Sequence, residues 1–248
     1  MTGAAATSAP AGPSTGYLPR ILRILEERPA AGLGLFGIFY GVGIAGHLAD
    51  ATRPLMLAIT PWFLLLMGLL ALATLLGAGG RGGGRRFWTW AGVTFLATWA
   101  LEVLGVHTGI VFGEYVYGRG LGAPVLGVPP LIGFNWVLVC LGVLIWIAPA
   151  GERRGVPRPV LAVGAALLAT GFDWVMEPVA IELGYWSWAG GAIPLQNYVA
   201  WFGIALGASL GWLYALPKAV RTATRLPAWH VVAQLFFFAA LRVGLVGG

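Results

Sequence analysis

Charge is scarce in this chain: only 10 % of its 248 residues are Asp, Glu, Lys or Arg, against about a quarter in an ordinary soluble domain. Cysteine is nearly absent. Cys140 stands alone, which excludes an internal disulfide and a thiolate metal cluster, and its setting in "VLVCLGV" reads as a helix packing position. Histidine is limited to His47, His107 and His230, with no pair three or four residues apart. That excludes the histidine-rich di-iron sites of membrane hydroxylases and desaturases. A single metal held by His47, His107 and nearby acids is the residual metal option, and no metal is expected. The glycine-rich "GAGGRGGGRR" joins two apolar stretches and lacks the strand and helix context of a phosphate-binding loop. The N-terminal region has no continuous apolar core followed by a cleavage-like context, so no cleaved signal peptide is expected and the first apolar span is expected to direct membrane insertion.

What is abundant is apolar: 58 % of residues are hydrophobic and the mean hydropathy is +0.83. An integral membrane protein of the cell membrane follows. The isoelectric point near 10.0 does not imply nucleic acid, because Lys and Arg are spread among the breaks between apolar stretches and form no single patch; anionic lipid headgroups are the expected partner. Seven stretches are long enough to cross a bilayer as helices, about 30–49, 54–77, 87–109, 128–149, 159–180, 197–217 and 227–246. The fold class expected is therefore all-α, a polytopic helical bundle, with residues 1–29 as a tail and 30–248 as one transmembrane domain. Pro61 falls inside the second span, where it is expected to kink the helix.

The basic residues orient the bundle. Twelve of the fifteen (Arg20, Arg23, Arg28, Arg81, Arg85, Arg86, Arg153, Arg154, Arg158, Lys218, Arg221 and Arg225) flank the spans on one side, and Arg53, Arg119 and Arg242 on the other. The positive-inside rule then puts the N-terminus in the cytoplasm and the C-terminus outside. In this orientation His47, Glu102, His107, Asp173 and Glu177 share the outer half of the membrane. Two outer loops, "FGEYVYGRGLGAPVLGVPP" and "IELGYWSWAGGAIPLQN", are rich in Tyr, Trp, Gly and Pro and suit segments lying at the interface and partly folded into the bundle. Each follows an acid-bearing helix, carries two aromatics at alternate positions, turns at proline and enters the next helix near an Asn, Asn135 or Asn197. A duplicated helix–loop–helix unit would leave that trace.

The stretch "GFDWVMEPVAIELGYWSW" concentrates the chemistry. Asp173 and Glu177 are four apart and stand on one helical face, with Thr170 and Trp174 expected beside them. Two carboxyl groups that close in a low-dielectric bundle cannot both ionise easily, so at least one is expected to hold a proton at neutral pH. A protonated carboxyl beside a second carboxylate is an arrangement suited to general acid catalysis. Intramembrane acids also serve proton-coupled transport, or pair with His107, Arg119 or backbone groups to fix helices. Glu102 is a third acid or a hydrogen-bond partner of the pair, and His107 stands near it. Glu114, Tyr115, Tyr117, Tyr185, Trp186 and Trp188 surround the acids from the outer loops. Some of these rings belong to an interfacial belt, and others can stabilise a cation formed in a dry pocket.

The blocks "EVLGVHTGIVFGEYVYGRGLGAPVLGVPPLI..NW" (102–136) and "DWVMEPVAIELGYWSWAGGAIPLQNYVAW" (173–201) resemble the membrane-embedded carotenoid hydratases. The resemblance covers spans three to six; the tail and spans one, two and seven match in character only. Where that family commonly has Asp, this chain has Glu177, which keeps the carboxyl and extends its reach by one methylene. The resemblance implies oxygen-independent addition of water across the terminal C1–C2 double bond of a carotenoid ψ-end, with no cofactor. It implies Asp173 and Glu177 as acid and base, in an order not assigned, with Glu102 in support. His107, Glu114, Tyr115, Tyr117, Asn135, Trp174, Tyr185, Trp186, Trp188 and Asn197 would line the substrate. The implied partners are a hydrophobic carotenoid, water, membrane lipids and other enzymes of carotenoid biosynthesis. A membrane lycopene-type cyclase and a proton-coupled transporter or lipid carrier are the rival functions.

Overall fold

The computed structural model describes residues 24, 28–78, 80–216 and 224–247. Most of the expected tail, with Arg20 and Arg23, lies outside the described residues, as do Lys218 and Arg221. Among the described residues there are seven long helices: α1 (Pro29–Leu48), α2 (Arg53–Ala78), α3 (Gly80–Thr108), α4 (Pro130–Arg153), α5 (Arg158–Glu182), α6 (Leu195–Ala215) and α7 (Leu226–Leu241), the last continued by a π turn, Arg242–Val246. All seven are long and apolar enough to cross a membrane. The chain is a multi-pass helical bundle.

Sequence chemistry sets the helix starts. Pro lies in the first turn of α1, α4, α5 and α7, where its missing N–H has no helical partner to lose. One start differs from expectation. Helix α3 begins at Gly80 and runs through the glycine-rich linker, although each glycine costs about 1 kcal/mol against alanine in a helix interior; the long apolar run that follows carries the helix backward. Pro61 lies inside α2, which runs on past it to Ala78.

Helix α4 is the hub. Its span is 67 % buried inside the protein, against 22 % for α1, and Trp136 to Ile145 is a continuous run of buried residues. A helix apolar on every side belongs inside such a bundle. It packs on α3, α5 and α7, and α5 packs most extensively on α6. Small residues make these approaches close: a β-carbon at Gly142 would stand 2.6 Å from the Pro227 carbonyl of α7. Helix α5 buries Ala162, Ala165, Ala166 and Ala169, the small-residue spacing that lets transmembrane helices touch.

The outer loops add an element that composition did not predict. Strands β1 (Tyr115–Tyr117) and β2 (Trp186–Trp188) pair antiparallel, Tyr115 opposite Trp188, Val116 opposite Ser187 and Tyr117 opposite Trp186. The pairing continues at both ends, from Gly118 N–H to the Tyr185 carbonyl (2.8 Å) and from Ala189 N–H to the Glu114 carbonyl (2.9 Å). Gly118 permits this, since a β-carbon there would collide with the Gly184 carbonyl. Because side chains alternate along a strand, Val116 and Ser187 point out while Tyr115, Tyr117, Trp186 and Trp188 point into the bundle and line its internal cavity.

Candidate active site

Beneath the ribbon lies a narrow cavity of about 60 Å³ lined by the three carboxyl groups of Glu102 on α3 and Asp173 and Glu177 on α5. Each is at least 96 % buried, with exposures of 4 %, 0 % and 3 %. Among the described residues no Lys, Arg or His lines the cavity. The charge cost of burial is therefore met by hydrogen bonds, and the ribbon supplies most of them.

The two strands treat their acids alike. From β1, the Tyr117 hydroxyl donates to Glu102 Oε2 at 2.6 Å and the Tyr115 hydroxyl donates to the same oxygen. From β2, the indole N–H groups of Trp186 and Trp188 both donate to Glu177 Oε2, at 3.0 and 3.1 Å. Helix α6 then ties the pair on α5 together: Asn197 Nδ2 donates to Asp173 Oδ2 (2.9 Å) and to Glu177 Oε1 (3.3 Å). Both oxygens of Glu177 are thus occupied by N–H donors, whereas Oδ1 of Asp173 has no hydrogen-bond partner among the described residues. Burial, reinforced by the Glu102 carboxylate, holds the Tyr115 and Tyr117 phenols well above the usual range, and burial pushes the Tyr185 phenol up to about 12. All three are donors, not phenolates, at ordinary pH.

Of the residues singled out in the sequence, Glu102, Tyr115, Tyr117, Asn135, Asp173, Glu177, Tyr185, Trp186, Trp188 and Asn197 come together around this cavity. Three do not. Trp174 is 55 % exposed on the outside of α5, with the Arg242 guanidinium 4.1 Å from its ring centre; one residue along a helix is a rotation of about 100°, which turns it away from the face of Asp173. Thr170 also stays out, its hydroxyl donating to the Ala166 carbonyl. Glu114 is exposed, because it precedes Tyr115 on the strand and so faces the other way. His107 is exposed at the end of α3, its Nε2 3.2 Å from the Leu126 carbonyl.

Other cavity residues were not singled out in the sequence. Trp136 and Trp201 stack with ring centres 3.5 Å apart, and Gln234 on α7 donates from Nε2 to Asn135 Oδ1 at 3.0 Å. All three line the cavity. Trp201 had a signal: it lies four residues after Asn197, on the same helical face. Gln234 had only its polarity within an apolar span.

Chemically the cavity is a set of acids held by neutral donors, walled by aromatic rings and roofed by the ribbon. It can give a proton, accept one back and face a cation with π-systems. Comparison with known proteins agrees in kind. Residues 60–247 match the family described as "Carotenoid biosynthesis protein", a stretch that contains every cavity residue named above. The chain is also 31 % identical over 113 residues to the bisanhydrobacterioruberin hydratase of Haloarcula japonica; the aligned part is 43 % of this chain and 38 % of that protein, so the chain spans well under two thirds of its relative. No solved structure matches. With three quarters of its length matched, including the ribbon and all three acids, this chain belongs to the carotenoid biosynthesis protein family.

Proposed function

We propose that the protein is a carotenoid hydratase that adds water across the terminal C1–C2 double bond of a ψ-end by proton transfer from Asp173. The observation that carries this reading is the unequal bonding of the paired acids: Glu177 accepts three N–H donors, while Asp173 keeps one oxygen without a partner. Donors to both oxygens favour the charged form of a carboxyl group, and a carboxyl oxygen with no donor favours carrying the proton itself. Asp173 is then the acid and Glu177 the carboxylate.

The steps balance within the cluster. The proton on Asp173 Oδ1 adds to C2, drawing the π electrons into a new C–H bond and leaving a tertiary cation at C1. The Glu177 carboxylate and the faces of rings such as Trp201 and Trp188 stabilise that cation. A water in the polar corner formed by Asn135 and Gln234 adds its oxygen to C1 and loses a proton to Glu177. Asn197, bonded to both acids, keeps them close enough for that proton to return to Asp173. Nothing is oxidised, and the product is a tertiary alcohol.

Similarity to a relative whose name is a hydratase supports the reaction class. The test is expression in cells that accumulate lycopene or a monocyclic carotene, grown in ¹⁸O-labelled water. The expected product is heavier by one water and carries the label at C1. A product of unchanged mass would indicate cyclisation, and a hydroxyl without label from water would indicate hydroxylation by O₂; either overturns the proposal.

A further inference from the structure

A polyene with no polar headgroup dissolves in the bilayer, so its route to acids roofed by the ribbon is a question of which lipid-facing groove reaches them. A groove of about 310 Å³ runs between α1, α2 and α7. Its rim is open toward lipid at Phe39 (44 % exposed), Val42 (62 %) and Ile59 (43 %). Its inner wall consists of Leu64, Tyr185, Gln234 and Phe238, and the same four residues line the carboxylate cavity. The two spaces are therefore separated by single side chains. Tyr185 stands at this wall, 4 % exposed, with its hydroxyl 3.4 Å from Thr60 Oγ1 of α2.

The competing routes connect less well. A groove of about 480 Å³ on the other face of α2, past Trp62 and Leu65, shares only Leu121 and Leu131 with the cavity. The groove lined by Leu69, Trp88 and Leu96 shares none of its residues with it.

Resting on the hydratase reading, we propose that the substrate's isoprenoid chain enters sideways from the bilayer through the groove between α1, α2 and α7, its end passing Tyr185 and Phe238 to reach the acids. The occupant is a linear isoprenoid rather than a phospholipid tail because only a chain end without a headgroup can leave the hydrocarbon layer and bring its tip under the ribbon. Gln234 meets the chain end as it crosses from groove to cavity, which sets the reacting bond beside the polar corner.

The experiment uses the full-length protein in nanodiscs. Val42→Trp and Ile59→Trp crowd the rim with side chains that face lipid, so they leave helix packing intact. Each is expected to raise KM for lycopene by about tenfold or more with kcat little changed, the pattern of lost binding. Leu65→Trp, across α2, is expected to leave both constants alone. Unchanged KM in both rim variants, or a raised KM in Leu65→Trp, overturns the route. A second measurement does not depend on turnover: lycopene is achiral and acquires circular dichroism when held in a chiral site. Asp173→Asn protein is expected to induce that signal and Asp173→Asn/Val42→Trp protein to lose it. An equal signal in both contradicts the route alone, whereas no signal in either contradicts the hydratase reading on which it rests.

Discussion

Asp173 and Glu177 differ by what touches them, and that difference can be tested side chain by side chain. Asp173→Asn and Glu177→Gln keep size and can still hydrogen-bond, so the protein should accumulate in the membrane. Product formation should fall by about 10²- to 10⁴-fold, the usual contribution of a positioned acid or base; near-normal pigment yields from both variants would remove the pair from the chemistry. Trp186→Phe and Trp188→Phe each delete one N–H donor to Glu177 Oε2. A hydrogen bond to a charged group is worth about 1.5–3 kcal/mol, so each is expected to slow the reaction by roughly 10- to 100-fold. Trp174→Phe, on the outside of α5, should not. Turnover assays on purified protein check the contrast, and equal losses at 174 and 186 would show that the rings matter only as bulk. The acids were legible in the sequence because charge is costly in a bilayer and a spacing of four fixes a common face. Trp174 was not, because adjacency in sequence is not adjacency on a helix surface.

The ribbon is the element that turns three acids into one site. It consists of three residues from each of two loops about seventy residues apart, too short for any period-2 pattern to announce it. The alternating "YVY" and "WSW" were the only sign, read as part of an internal echo. The structure gives that echo physical content: each acid-bearing helix is followed by a strand whose two inward rings donate to that helix's own glutamate. The two strands pair with each other, as two like units facing one another would do. Gly118 is the narrowest point of this arrangement. Gly118→Ala should push the strand away from the Gly184 carbonyl and draw the rings off both glutamates. Far-UV circular dichroism should stay helical, while the near-UV aromatic signal and hydration activity fall together. A variant with native near-UV signal and no activity would separate the ribbon's fold from its function.

At the scale of the whole molecule, the seven spans were legible to within a few residues from apolar length alone, since a bilayer admits few other solutions. The exception was α3, whose extension through the glycine-rich linker runs against local propensity. What length could not give was the arrangement of helices, and with it the roles of Trp136, Trp201 and Gln234, which meet at the cavity from three different helices. Orientation rests on the twelve-to-three division of basic residues and predicts the ribbon on the outer side. Cys140 is buried, so background labelling is low. Ser187→Cys is expected to react with an impermeant maleimide on intact cells, and Arg154→Cys only after permeabilisation. The reverse pattern would invert the bundle.

In the proposed reaction a carboxyl group of the protein hands its proton to a carbon of the substrate. The measurement closest to it is the position of deuterium in the product made by purified protein in D₂O, where the carboxyl proton exchanges with solvent before each turnover. One deuterium at C2, next to the carbon bearing the new hydroxyl, is the predicted result; a product with none at C2 would contradict that proton transfer.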